Sequence, residues 1–139
     1  MGSLMTPDEV RAIPLFEGLS PAGLERVAAR AGELLCEPGQ ILALPGDAGS
    51  GMYVILDGTV SVEIRGGWHT ELGRGNFFGE IALLVPESGR VARVRAATPV
   101  RCLSLPRDDF LTLVESEPPF ALTMLRELAR RLSNYSTDG

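Results

Sequence analysis

A mainly β fold with flanking helices, a jelly roll (double-stranded β-helix) of short strands, is what this 139-residue sequence predicts. Three observations carry the prediction. Seven short runs with strand character follow one another between Glu33 and Leu105: Glu33–Glu37, Gln40–Leu44, Gly51–Leu56, Thr59–Arg65, Trp68–Leu72, Val91–Ala97 and Val100–Leu105. Gly39, Gly46, Gly58, Gly66, Gly67, Gly73 and Gly75 sit between the runs, where the chain needs tight corners. Outside this region, at both ends, apolar residues recur at helical spacing.

Met1-Gly2-Ser3-Leu4 reads as an expression scar ahead of Met5. Residues 5–139 are expected to form one domain, with helices over 5–32, the roll over 33–105 and helices over 106–136. Thr6-Pro7-Asp8-Glu9 combines an N-cap, a first-turn proline and a glutamate at the capping-box position, which predicts a short helix through Ile13. Ser20-Pro21 opens a second helix with Leu24, Val27, Ala28 and Ala31 at helical spacing, and Gly32 is placed to end it. After the roll, Pro106-Arg107-Asp108-Asp109 leads a short helix carrying Phe110, Leu111 and Val114, its two acids complementing the helix dipole. Glu117-Pro118-Pro119 breaks that helix. In the next run Ala121, Leu125, Leu128, Leu132 and Tyr135 alternate four and three residues apart, a heptad seam too short to prove a coiled coil. A homodimer seam and plain packing on the roll both remain open.

Composition bounds the function. With 45% apolar and 22% charged residues the chain suits a single soluble domain with a real core. A net charge of −5 argues against a broad nucleic-acid surface, since only Arg90, Arg93 and Arg95 cluster on one expected strand. No apolar stretch reaches membrane-spanning length and no signal peptide is visible, so the cytoplasm is the default. Cys36 and Cys102 lack CxxC spacing and read as buried free thiols. His69 is the one histidine, which argues against a metal-dependent roll, a nucleophilic triad and a haem site alike. No enzyme activity and no cofactor are expected.

The stretch that carries chemistry runs from Asn76 to Ala96. Gly79-Glu80-Ile81-Ala82-Leu83-Leu84 reads as one helical turn opened by a glycine, and the first N–H groups of such a turn face outward as donors with partial positive charge. Arg90, beyond a loop containing Pro86 and Gly89, supplies a planar guanidinium for two phosphate oxygens. Glu80 would repel a phosphate unless it served another part of the ligand, and accepting from a sugar hydroxyl is that service. Carboxylate, arginine and free amides together point to a ribose-phosphate.

Phe78-Gly79-Glu80-Ile81-Ala82-Leu83-Leu84 followed by Arg90-Val91-Ala92 closely resembles the phosphate-binding cassette of the cyclic-nucleotide-binding domains of catabolite activator proteins, cyclic-nucleotide-dependent kinases and gated channels. Glu37-Pro38-Gly39-Gln40, Gly46-Asp47, Met52-Tyr53-Val54-Ile55-Leu56-Asp57-Gly58 and Gly75-Asn76-Phe77 match the same family in order, so the resemblance covers roughly Leu15 to Leu132. It implies a regulatory sensor for a cyclic nucleotide, cAMP with cGMP as the alternative. The cassette spans 78–92, with the phosphate on Arg90, Val91, Ala92 and Ala82, and the ribose on Gly79, Glu80 and Ile81. By the same resemblance Val62, Val91, Tyr135 and Ser136 contact the base. Val91 stands where a hydroxyl residue is associated with guanine, which favours adenine. The implied partners are the nucleotide, a second copy through the C-terminal helix, and an effector domain outside this sequence. A ligand-free interaction module on the same fold is the alternative.

Overall fold

The computed structural model describes residues 5–43, 51–64, 68–80, 84 and 92–138. Helix α1 (Pro7–Arg11) starts on the complete capping box: the Glu9 N–H donates to Thr6 Oγ1 at 3.2 Å and the Thr6 N–H donates to Glu9 Oε1 at 2.7 Å. It ends before the predicted Ile13. Pro14 disfavours helical geometry at the residue before it, so Ile13 is extended (φ −81°, ψ 121°), and a 3-10 turn over Pro14–Phe16 follows that the sequence pattern did not predict. In helix α2 (Pro21–Arg30) the Ser20 side chain accepts from the Gly23 N–H. The helix stops one residue earlier than Gly32 suggested. Ala31 is already extended, and Gly32 opens the first strand instead of capping the helix.

Among the described residues there are eight strands, β1 (Gly32–Cys36), β2 (Ile41–Ala43), β3 (Gly51–Asp57), β4 (Val60–Ile64), β5 (Trp68–Leu72), β6 (Phe77–Phe78), β7 (Ala92–Ala96) and β8 (Val100–Pro106). They form two antiparallel four-stranded sheets, ordered β1-β8-β3-β6 and β2-β7-β4-β5. The predicted runs are recovered within about a residue of each end, and β6 is added to them. Gly58, at φ +94°, makes the β3–β4 corner where a Cβ would run into the Pro99 carbonyl oxygen.

The first sheet is covered on both faces. Met52, Val54, Phe77, Leu103 and Leu105 face a core with the helical residues Phe16, Leu24, Val27, Phe110 and Phe120. Their neighbours Ile55, Phe78, Val100 and Cys102 face the second sheet, against Val60, Val62, Val94 and Ala96. The second sheet keeps an outer face with exposed Glu63, His69, Glu71 and Arg95, which gives it the clean alternation of a half-buried sheet.

Two further helices, α3 (Arg107–Ser116) and α4 (Pro118–Asp138), meet at Glu117, which the following proline keeps out of helical geometry (φ −124°, ψ 84°). Helix α3 is fastened to α2 at both ends by buried carboxylates. Asp109 pairs with Arg26 at 3.0 Å and Arg30 at 3.2 Å, and Glu117 accepts from the Ser20 N–H at 2.9 Å and the Ser20 hydroxyl at 2.6 Å.

Both cysteines are buried and free. Burial, and secondarily Cys36, push the Cys102 thiol up to about 12, and burial alone raises Cys36. The unfolded chain therefore ionises first: this stabilisation is intact below the ordinary thiol pKa of 9.0 and is lost as pH climbs towards about 12. The sequence contains no lysine to titrate in that window. Urea melts between pH 8.5 and 11 should show stability falling by on the order of 1 kcal/mol per pH unit above pH 9. Cys102→Ala should give a shallower slope from a lower starting stability. Parallel slopes would show that Cys102 does not set the alkaline limit.

Candidate functional site

Strand β6 delivers the chain to the site. Phe77 and Phe78 pair with Val54 and Tyr53 of β3 and point to opposite faces of the sheet, Phe77 to the helical core and Phe78 to the interior of the roll. The Phe78 ring stacks on Tyr53 with centroids 5.1 Å apart. Gly79 then adopts φ +95°, a conformation side-chain-bearing residues avoid, and Glu80 enters helical geometry directly after it. The glycine-opened turn expected from the sequence thus begins where it was placed.

Glu80 is only 3% exposed. Among the described residues two other acids are buried, Asp109 and Glu117, and both fasten α2 to α3. Glu80 instead faces helix α4, where Arg131 Nη1 lies 3.7 Å from its Oε2. Arg131 also donates from Nη2 to the Phe77 carbonyl oxygen at 2.5 Å and from Nε to Glu127 Oε2 at 3.2 Å. Its guanidinium carbon sits 4.5 Å from the centroid of the Phe77 ring. One arginine therefore touches the strand leading into the turn, the acid leading out of it, and its own helix.

Arg131 was missed in the sequence, although a signal was present. Phe120, Met124, Leu128 and Arg131 fall on one face of α4, and the three apolar members pack on the helical core. A charged residue in a packed stripe asks for a partner. The heptad seam had drawn attention elsewhere, to a face rotated by roughly 60°. There Leu125 and Leu132 are 63% and 67% exposed, while Leu128 is partly buried against the core.

Of the other candidate residues, Val62 lies inside the roll beside Val60 and Val94, and Ala92 is the first residue of β7, half-buried. Tyr135 and Ser136 belong to the last turns of α4, where the backbone alone is described. Ile81, Ala82, Arg90 and Val91 lie outside the described residues. Among the described residues no group of three His, Cys, Asp or Glu side chains gathers to hold a metal ion, and no helix is long and apolar enough to cross a membrane.

Residues 33–117 match the family model of the cyclic nucleotide-binding domain. The chain is 37% identical over 122 residues to a cyclic nucleotide-gated potassium channel of Rhizobium etli, covering 88% of this chain and 34% of the channel. It is 36% identical over 109 residues to the potassium/sodium hyperpolarization-activated cyclic nucleotide-gated channel 4 of Homo sapiens, covering 78% of this chain and 9% of that one. It thus spans about a third of the length of the bacterial channel. Among solved structures, the regulatory subunit of a cAMP-independent protein kinase A from Trypanosoma brucei aligns with a TM-score of 0.77 at 26% identity, over 93% of this chain and 46% of that chain. The catabolite activator protein of Thermus thermophilus aligns with a TM-score of 0.72 at 31% identity, over 90% and 61%. The roll, the glycine-opened turn with its buried acid and these matches agree: the chain belongs to the cyclic nucleotide-binding domain family.

Proposed function

We propose that this domain is a cAMP sensor. Its phosphate is held by Arg90 and the amides that follow Gly79, its ribose 2′-hydroxyl by Glu80, and its adenine beside Val91. The single observation that carries the reading is Glu80 itself, a carboxylate almost wholly removed from water directly after the positive-φ Gly79. A buried acid is costly unless something compensates it. In this reading Glu80 accepts from the sugar hydroxyl while the amides that follow Gly79 receive the phosphate. Kinship with channels named as cyclic nucleotide-gated supports the ligand class. Adenine rests on Val91, which offers a guanine neither donor nor acceptor from its side chain.

Binding becomes a signal through helix α4, whose Arg131 already touches the turn. A nucleotide shifts the docked population of α4 only by its difference in affinity between docked and undocked arrangements. The reader of that shift is an effector outside this sequence, as the partial coverage of the channel relatives allows. A second reading, homodimerisation through α4, is favoured by exposed Leu122, Leu125 and Leu132.

The test is a calorimetric titration of the domain, shown to be free of co-purified nucleotide, with cAMP, cGMP, 5′-AMP and 2′-deoxy-cAMP. Tight binding of cAMP over cGMP, weakened for the 2′-deoxy analogue and lost for 5′-AMP, is the expected pattern. No heat with any cyclic nucleotide would leave the interaction-module reading in its place.

A further inference from the structure

We propose that strand β1 is a self-association edge: two copies of this chain pair through it, antiparallel about a two-fold axis at Leu34, and their first sheets join into one. Strand β1 stands at the end of the order β1-β8-β3-β6, and among the described residues it pairs with β8 alone. Alternate residues of an edge strand direct N–H and C=O groups away from the sheet, and a second copy running antiparallel presents the same groups in return. Such edges are ordinarily guarded by lysine, proline or a bulge. Gly32–Cys36 contains no lysine and no proline, its register with β8 runs unbroken, and it carries Leu35 at 67% exposure. Its one charge, Glu33, is paired with Arg101 of β8. A net charge of −5 sets two copies against each other, and at this edge the ion pair cancels the repulsion locally.

The side chains select the register. Glu33 and Leu35 stand opposite Leu103 and Arg101 of β8, so all four occupy the face of the sheet that meets the helices. On that face the Glu33 end of β1 borders a small hollow lined by Met5, Ala31, Leu56 and Leu103, while Leu35 lies bare two residues further on. Antiparallel partners share a face, so the two-fold axis must pass through a residue position. An axis at Glu33 would set two Glu33 carboxylates opposite each other, and one at Leu35 would set Glu33 against Glu37. An axis at Leu34 pairs Gly32 with Cys36 and Glu33 with Leu35 across the copies, and uses the whole strand. Each bare Leu35 then falls beside the hollow of the other copy, so the same apolar contact is made twice.

The experiment is sedimentation velocity on wild type, Leu35→Glu and Leu125→Glu over about 0.01 to 1 mM protein, with amide hydrogen exchange of wild type at both ends of that range. Wild type should pass reversibly from monomer to dimer. Leu35→Glu sets two carboxylates opposite each other at each of the two contacts and should raise the dissociation constant at least about tenfold. Its thermal midpoint at low concentration should match wild type, because the side chain it replaces is exposed. Leu125→Glu, on the bare side of α4, should leave the dimer intact, which separates this edge from association through that helix. Exchange at residues 32–36 should slow as concentration rises while residues 122–132 stay unchanged. A wild type that remains monomeric throughout would overturn the proposal. So would a dimer lost in Leu125→Glu and kept in Leu35→Glu, or one that forms without added protection in β1.

Discussion

Phe120→Ala is expected to lower the stability of the domain by about 3–5 kcal/mol. Phe120 is the first large apolar residue of α4 and is 1% exposed. Its ring stacks on Phe16 at a centroid distance of 5.9 Å and meets Phe110 edge-on at 6.2 Å, so the N-terminal 3-10 turn and both C-terminal helices share one aromatic cluster. Truncation removes the buried area, both ring contacts and the filler of a site whose other walls are a 3-10 turn and a helix fixed by ion pairs, which limits collapse into the space. A thermal midpoint lowered by on the order of 10 °C is the readout. Leu125→Ala, on the exposed side of the same helix, should stay within about 0.5 kcal/mol of wild type. Equal effects of the two substitutions would mean that α4 does not pack through Phe120.

Arg90→Ala is expected to weaken cAMP binding by about 3–5 kcal/mol, two to three and a half orders of magnitude. Under the proposed function it removes a charge-assisted, bidentate contact and leaves a phosphate charge facing the site without its counter-ion. The loss should be shared by 2′-deoxy-cAMP, because the phosphate is common to both ligands. That separates it from Glu80→Gln, whose effect should depend on the 2′-hydroxyl. An Arg90→Ala variant that binds cAMP like wild type would remove the phosphate assignment.

How much of this was legible in the sequence depended on whether the signal was local. The capping box at Thr6, the break at Glu117-Pro118 and the alternation of β4 and β7 were readable, because each rests on backbone chemistry or on a period of two. Strand β6 was not, since two residues, Phe77 and Phe78, display no period and are strand only because β3 pairs with them. Gly32 looked like a helix cap because glycine is favoured there, yet it takes no left-handed conformation and simply begins β1. In the site, Gly79 and Glu80 were visible as a glycine opening a turn with an acid. Arg131 was hidden because its importance comes from the fold, which brings α4 across residues more than fifty positions earlier in the chain.

The pair of carboxylates at the two ends of α2 has a mechanical consequence. A helix held at one point can pivot; held at both ends against the same neighbour, it resists torque. Asp109 and Glu117 make α2 and α3 such a doubly bolted bracket. Helix α4 leaves that bracket as a lever arm, and its root is Glu117, the second bolt. Twisting the lever therefore loads the Ser20 end of α2 directly, in parallel with the contacts by which Arg131 joins the same helix to β6.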